Sequence, residues 1–422
     1  MSDPSSPGPN QSLDEEALVA ELRDGKRRFH ALPPALGAER AAELRRRALE
    51  QITGADLGHW GHFSLDARRA STRHCENFLG AVQVPVGILG PLPVRGQYID
   101  DDVFVPLATT EGALVASVNR GCAAIREAGG AKLWVEDAGM TRAPVFRTSG
   151  IDETRRFLHW LKENHGEIRR VAEATSNHLE LREVRPFVFG TSIFLRFCFG
   201  TGDAMGMNMV TIACDRVVHD LIEPATGIQC SALSGNYCSD KKPAQINIQE
   251  GRGKSIHAEV RLPEEVLASK LKTDAHRLAE TQYRKNLLGS IAAGSKGFNA
   301  QVANVAAAFF IATGQDPAHV AEAAVALTCI EAQDDGSALA SLFLPDVPLG
   351  AVGGGTALAT QAAALELLGV RPDPEHPGAA VGRLAEIFGA TALAGELSLM
   401  AALTSRDLAG AHERLGRGRQ GR

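Results

Sequence analysis

Residues 192–222 read SIFLRFCFGTGDAMGMNMVTIACDRVVHDLI, and the order of residue types within them decides which fold to expect. Ser192–Phe199 is strand-like, Gly200–Gly206 (GTGDAMG) is a glycine loop, and Met209, Ala213, Val217 and Leu221 fall on one side of a helix. A strand, a glycine loop and a helix in that order is how a dinucleotide fingerprint begins. The third glycine of G-x-G-x-x-G belongs at position 205, which is Met205, so the Rossmann template fails. What survives is a helix N-terminus whose free backbone N–H groups suit an anion or a cofactor.

Working outward, about Pro144 to Cys230 reads as a separate α/β module, with a charged helix (Glu153–Glu167) and a second helix before the strand. Upstream, about His74 to Arg142 is extended and broken by glycine and proline: VQVPVGILGPLPVRG, then VFVPLATTEG. Beyond Lys241 the chain is alanine-rich, and Leu287–Thr313, Pro317–Ile330, Thr356–Leu368 and Ala379–Leu403 are expected to be buried helices. Near the start, Leu13 to about Gly54 is helical in pattern, with Ala41, Leu44, Ala48 and Ile52 on one face. Arg45, Arg46 and Arg47 are expected to face water there, balanced by Glu39, Glu43 and Glu50. Residues 1–12 are Ser/Pro/Gly-rich and expected to be disordered. The closing RLGRGRQGR is basic and expected to be mobile.

The composition excludes several classes. Of 422 residues, 44% are hydrophobic and 22% charged, a globular balance, and the net charge of −6 argues against nucleic-acid or membrane-surface binding through charge. The seven cysteines form no C-x-x-C pair, which fits a reducing compartment rather than a disulfide framework or a zinc site. The first residues carry no basic or apolar signal, and apolar runs such as Ala306–Ala312 fall far short of the roughly 20 residues that span a bilayer. A soluble, cytoplasmic protein is expected. GRGKS (Gly251–Ser255) resembles the end of a P-loop, but its first glycine would stand at Ile248 and SIHAEVRL after it reads as a strand. There is no H-E-x-x-H and no paired ligand spacing among the 13 histidines, so no metal is expected.

Three acid–base candidates stand in polar, glycine-marked settings. Glu111, in ATTEGALVASVNRG, opens what reads as a buried helix through Leu114, Ala116 and Val118. Apolar surroundings raise a carboxyl pKa, which suits a proton donor. Lys241, in SGNYCSDKKPA, could bring an ammonium to a carbonyl oxygen. Asp316, in IATGQDPAH, follows an apolar helix. Taken singly, the two acids also read as helix caps and the lysine as a surface residue.

Together they belong to a longer pattern. ENFLGAVQVPVGILGPL, ATTEGALVASVNRG, DAGMTRAPV, GDAMGMNM, SGNYCSDKKPAQIN, GRGKS, ATGQDPAH, VGGGT and AGELSLMAAL resemble, in order, the signature blocks of 3-hydroxy-3-methylglutaryl-coenzyme A reductases from about His74 to Arg417. The pattern is closer to class I than to the NADH-using class II, without a membrane anchor. The resemblance implies an α+β fold: a helical N-terminal part (13–68), a large domain around a long central helix (69–143 and 233–413), and an inserted ferredoxin-like, non-Rossmann cofactor domain (144–232). Residues 1–12 and 414–422 would be tails. It implies dimers or dimers of dimers, with active sites shared at the subunit interface, where Glu76–Gly80 packs.

The implied reaction reduces the thioester to mevalonate and free CoA, a step towards isoprenoids, with NADPH as the expected cofactor and NADH as the alternative. By resemblance Lys241 stabilises the oxyanion, Glu111 protonates the alcohol oxygen, His412 protonates the leaving thiolate, and Asp316 holds Lys241 and Glu111 in one network that keeps Glu111 protonated. Arg142, Ser234, Asp240, Lys242, Lys285 and Asn304 match substrate contacts. Asp203, Met205, Gly206, Met207 and Asn208 match the nicotinamide side, with Ser176 and Arg417 towards the cofactor phosphate. Asn177 stands where class I members carry an arginine for the 2′-phosphate, Gln301 replaces a histidine near the substrate, and Gly418 replaces a regulatory serine. Two other readings remain: the same fold run oxidatively with NAD for mevalonate breakdown, and a non-catalytic acyl-CoA binder.

Overall fold

The structure, a computed structural model, describes residues 13–405. His412, Arg417 and both expected tails lie outside them. The chain divides into two compact units, one running through Val84 together with Leu358–Thr360, the other holding the rest.

In the first unit, the helices Glu15–Arg23 and Gly37–Thr53 close over Leu18, Val19, Leu22, Leu44 and Ala48. Asp14 caps the first through the Ala17 N–H at 3.0 Å. The arginine run departs from the solvated face expected of it. Arg45 is buried and donates to the carbonyls of Phe29 (2.9 Å) and Phe78 (3.2 Å), while Arg46 donates to the Leu79 carbonyl. Only Arg47, paired with Glu16, faces outward as expected. These carbonyls end no helix or strand, so the guanidinium groups satisfy backbone that would otherwise be stranded.

The second unit is built on one ten-stranded sheet. Its strands are β1 (Val86–Arg95), β2 (Asp100–Ala108), β3 (Ala131–Arg142), β4 (Val145–Arg147), β5 (Glu180–Phe189), β6 (Ser192–Gly200), β7 (Cys230–Ala232), β8 (Arg252–Leu262), β9 (Leu327–Ala332) and β10 (Ala338–Val347). The order is β7-β4-β6-β3-β8-β10-β9, with β1 on β2 and β3, and β5 on β6. β3 serves two layers. Lys132–Gly139 pairs with β8, and after an irregularity Met140–Arg142 pairs with β6.

Within this sheet β7-β4-β6-β5 is an antiparallel four-stranded unit, with helices Ile151–Glu163 and His165–Glu173 between β4 and β5, and Met207–Val217 between β6 and β7. That β-α-β-β-α-β order is ferredoxin-like, as the resemblance implied. Its own core runs from Met140 to Ile228 and includes Phe146, Phe157, Phe197 and Phe199. The failed fingerprint at Met205 has its explanation here: β6 feeds the glycine loop from an antiparallel sheet, not a parallel one.

The larger core wraps the helix Ala379–Thr404, 26 residues long and buried along almost its whole length. Among the described residues it is the one helix long and apolar enough to cross a membrane, which corrects the expectation that no stretch approaches that length; 83% of its apolar window is covered by the fold. Its small residues let the helix Leu114–Glu127 come close: a Cβ on Gly121 would stand 1.9 Å from the Ala394 carbonyl oxygen. Two acids on it hold loops. Glu386 accepts from the Gln97 (2.6 Å) and Tyr98 (3.0 Å) N–H groups, and Glu396 from Ala300 (2.8 Å), Gln301 (2.6 Å) and the Thr328 hydroxyl (2.6 Å). Burial raises both carboxyls.

Two helix expectations are corrected. Pro317–Ile330 breaks after Ala323 and continues as β9, whose partner β10 supplies the hydrogen bonds. Leu287–Thr313 is interrupted at Gly294, in the left-handed conformation, and resumes at Val302.

Candidate active site

Lys241 lies in the loop between β7 and β8, with φ of +58°, a left-handed conformation that costs a non-glycine residue about 1–2 kcal/mol. Its ammonium Nζ is 2.7 Å from Asp316 Oδ2. Asp316 is presented by the turn after the helix Val302–Thr313, where its other oxygen accepts the Ala318 N–H at 3.0 Å. Burial alone would raise the Asp316 carboxyl; the hydrogen bonds from Lys241 and Ala318 outweigh it and hold it below the ordinary carboxylate range.

Glu111 departs from its expectation. It sits in the turn before the helix Leu114–Glu127, its own N–H on the Thr109 hydroxyl at 3.0 Å, and it is exposed, as is Ala116. The apolar surroundings expected of it are not there, because the buried face of the helix begins at Leu114 and runs through Val118 and Cys122. Glu111 meets Asn304, whose amide donates to Glu111 Oε1 at 3.3 Å. The contacts therefore form two pairs, Lys241 with Asp316 and Glu111 with Asn304, in place of the single expected network.

The other substrate candidates are distributed as follows. Asp240 Oδ1 accepts from Arg252 at 3.0 Å, and Asp240 Oδ2 lies 4.0 Å from Arg142. Arg142 also donates to the Thr211 hydroxyl at 2.6 Å. Lys242 folds back on the Asp240 carbonyl at 2.9 Å. Ser234 is exposed, with its hydroxyl 3.4 Å from Cys238 Sγ. Burial raises the Cys238 thiol, but the Ser234 contact, the Asp240 N–H and the charges of Arg142 and Arg252 bring it below its usual value. Lys285 is half-buried, and its charge acts on Glu396. Gln301, the residue in place of a histidine, spends its amide on the Gly395 carbonyl.

On the other side, Gly206 caps the helix Met207–Val217 with φ of +90°, and a Cβ there would meet Thr201 at 2.3 Å. The Asp203 carbonyl accepts from Ala351 at 2.7 Å, joining this loop to the glycine-rich stretch Gly350–Gly355. Asp203 Oδ1 accepts the Val381 N–H at 3.0 Å, so one of its oxygens holds the loop to the start of the long helix. Met205 and Asn208 flank the opening, Met207 is buried, and Ser176 donates to Met209 Sδ at 3.7 Å, which brings it to the same helix. Two glycine loops meet around this helix N-terminus, whose backbone N–H groups suit an anionic group.

Sequence reasoning missed what lies beneath. Arg252, in the rejected GRGKS, is completely buried and donates to Thr141 (3.0 Å), Asp240 (3.0 Å), Met207 Sδ (3.0 Å) and Glu322. Glu322 in turn accepts the Lys241 N–H and, at 3.0 Å, His319 Nδ1. Burial would raise the Glu322 carboxyl; the His319 hydrogen bond, the Arg252 charge and a hydrogen bond from Asp346 hold it at about 2. Ligand atoms of Asp240, His319 and Glu322 lie within 4.8 Å of one another, but the Arg252 guanidinium already supplies the positive charge between the two carboxylates.

The arrangement offers an ammonium beside a carboxylate, a second carboxyl on an amide, and two glycine loops at a helix N-terminus. The sequence model described as Hydroxymethylglutaryl-coenzyme A reductase matches residues 41–417. The 3-hydroxy-3-methylglutaryl-coenzyme A reductase of Haloferax volcanii is 48% identical over 404 residues, 96% of this chain and 100% of that protein. That of Methanothermobacter thermautotrophicus is 46% identical over 403 residues, 95% of this chain and 100% of that protein. Among solved structures, a class II 3-hydroxy-3-methylglutaryl-CoA reductase from Streptococcus pneumoniae bound to NADPH matches with a TM-score of 0.63 at 18% identity, over 94% of this chain and 98% of that one, a likeness of fold. This chain belongs to the hydroxymethylglutaryl-coenzyme A reductase family, whose reaction is the reduction of 3-hydroxy-3-methylglutaryl-CoA to mevalonate.

Proposed function

We propose that this chain reduces 3-hydroxy-3-methylglutaryl-CoA to mevalonate and CoA with two NADPH and two protons, as a member nearer to class I. The observation that carries the chemistry is the Lys241–Asp316 pair at 2.7 Å. NADPH, when bound, supplies hydride. Met205, Gly206, Met207 and Asn208 would hold it with Ser176, while Asp203 fixes their loop. Lys241 holds an ammonium where negative charge grows on the substrate oxygen, an arrangement worth about 10²–10³ in rate. Asp316 keeps that ammonium in place. Glu111 gives a proton to the alcohol oxygen, with Asn304 fixing the carboxyl. Arg142, Ser234, Asp240, Lys242 and Lys285 take the acyl part. His412 is assigned the proton for the departing thiolate, and Arg417 a contact with the cofactor phosphate. Both of these residues rest on the sequence resemblance.

The acting form is a homodimer or homotetramer in the cytoplasm, with the seven-cysteine chain kept reduced; the free thiols from Cys75 to Cys329 support that compartment. The domain scheme proposed from the resemblance is supported by the separate core between Met140 and Ile228. NADPH is preferred over NADH because of the class I blocks, with Arg417 and Arg419, not Asn177, supplying the cation for the 2′-phosphate. Purified protein with hydroxymethylglutaryl-CoA and each nicotinamide tests the whole reading. Consumption of NADPH with release of free thiol is expected, and truncation at Gly416 should erase the preference. A tenfold preference for NADH in the intact chain would favour the oxidative direction instead.

A further inference from the structure

A buried guanidinium is costly unless its donors are matched, and replacing such ion pairs by apolar residues is often neutral or stabilising. Stability alone therefore does not account for the four partners of Arg252. What they have in common is location. Thr141 is the last residue but one of β3, Asp240 adjoins Lys241, Met207 opens the cofactor-side helix, and Glu322 lies in the short helix Val320–Ala323 that follows Asp316.

Glu322 completes a ring. Its Oε1 accepts the backbone N–H of Lys241, the residue in the left-handed conformation, and also His319 Nδ1 at 3.0 Å. The buried Nε2 of His319 stands 3.8 Å from Asp316 Oδ2, and Asp316 closes the ring on Lys241 Nζ at 2.7 Å. Lys241 is thus gripped twice by one short segment, through its backbone by Glu322 and through its ammonium by Asp316. Glu322 Oε2 faces Arg252, which ties the segment to both halves of the site.

We propose that Arg252 and Glu322 are a positioning pair that fixes the Lys241 backbone and so aims its ammonium. This rests on the reading of Lys241 as the group that stabilises the substrate oxygen. Both oxygens of Glu322 face donors: Lys241 N–H and His319 on one, Arg252 on the other. An amide offers a single acceptor oxygen, so Glu322→Gln sets an NH₂ against donors and releases one side or the other.

The experiment compares Glu322→Gln with Lys241→Ala. Glu322→Gln should lower kcat by about 10²-fold, the cost of a group displaced by about 1 Å, with KM for hydroxymethylglutaryl-CoA within about threefold of wild type. A purely structural role would leave kcat per folded molecule unchanged. If Glu322→Gln does not fold, the paired variant Arg252→Met with Glu322→Leu removes both charges together, and the same fall in kcat is expected of it. A folded variant of either kind that keeps more than a third of wild-type kcat, while Lys241→Ala is inactive, overturns the positioning role alone. An active Lys241→Ala overturns the reading of Lys241 and this inference with it.

Discussion

Lys241 and Asp316 form an ion pair at 2.7 Å although their side chains are 43% and 32% exposed. Exposed pairs of this kind contribute only about 0–1 kcal/mol to stability. A left-handed backbone and an anchored carboxylate are more apparatus than so small a gain requires, and this supports the chemical role proposed for the pair.

Asp316→Asn should therefore separate activity from stability. The amide keeps an oxygen for the Ala318 N–H and loses the charge that holds Lys241. A fall in kcat of about 10²-fold is expected, with unfolding free energy changed by less than about 1 kcal/mol. Equal losses in both would mean that Asp316 acts only as a cap.

Glu111 and Asn304 meet at 3.3 Å in an exposed setting, so the pair depends on little around it. Glu111→Gln should slow reduction of supplied mevaldehyde by about 10²–10⁴-fold, the usual contribution of a positioned acid. Asn304→Ala should slow it less, since the carboxyl remains. A Glu111→Gln variant that reduces mevaldehyde at the wild-type rate would remove the proton-donor assignment.

The long helix makes a sharper structural prediction. A Cβ on Gly121 would stand 1.9 Å from the Ala394 carbonyl, backbone against backbone, with no flexible side chain to give way. Gly121→Ala should cost about 3 kcal/mol or more, at the upper end of overpacking penalties. Chemical denaturation would read it, and an unchanged midpoint would mean that the two helices can separate.

Much of this was legible from residue order. Lys241, Asp316 and the GDAMG loop drew notice because they stand in long motifs that resemble one family, not through any one residue, and the strand, loop and helix around Met205 fell where their pattern put them. What escaped were effects set by distant partners. Leu327–Ala332 follows an alanine-rich run that reads as helix, and only β10 beside it makes it a strand. Arg45 resembles its neighbours Arg46 and Arg47 until the Phe29 and Phe78 carbonyls come into reach. Arg252 sat inside a rejected phosphate motif, and nothing in a sequence marks an arginine as fully buried. The exposure of Glu111 turned on where its helix begins, three residues further on at Leu114.

Asp346 gives a prediction in pH. Its Oδ1 is buried with no hydrogen-bond donor in reach, and Asn247 donates to its other oxygen. Burial first, then the neighbouring Glu322 charge, push its carboxyl well above the ordinary range. A carboxyl raised in the folded state binds its proton more tightly there than in the unfolded chain. Its contribution is therefore present at low pH and is lost as pH rises from the unfolded value, near 3.8, towards the folded one. Glu322, held at about 2, has the opposite sign: its contribution is present above the unfolded value of 4.5 and is lost only as pH falls towards 2. Above the unfolded value of 4.5 for Glu322, Asp346 is the one of the two whose titration still changes stability, with a slope of up to about 1.4 kcal/mol per pH unit. Asp346→Asn keeps a donor towards Glu322 and an acceptor for Asn247 but has no proton to lose. Urea unfolding across that range should show the wild type losing stability with rising pH relative to the variant. Parallel profiles would mean that Asp346 is already ionised in the folded protein.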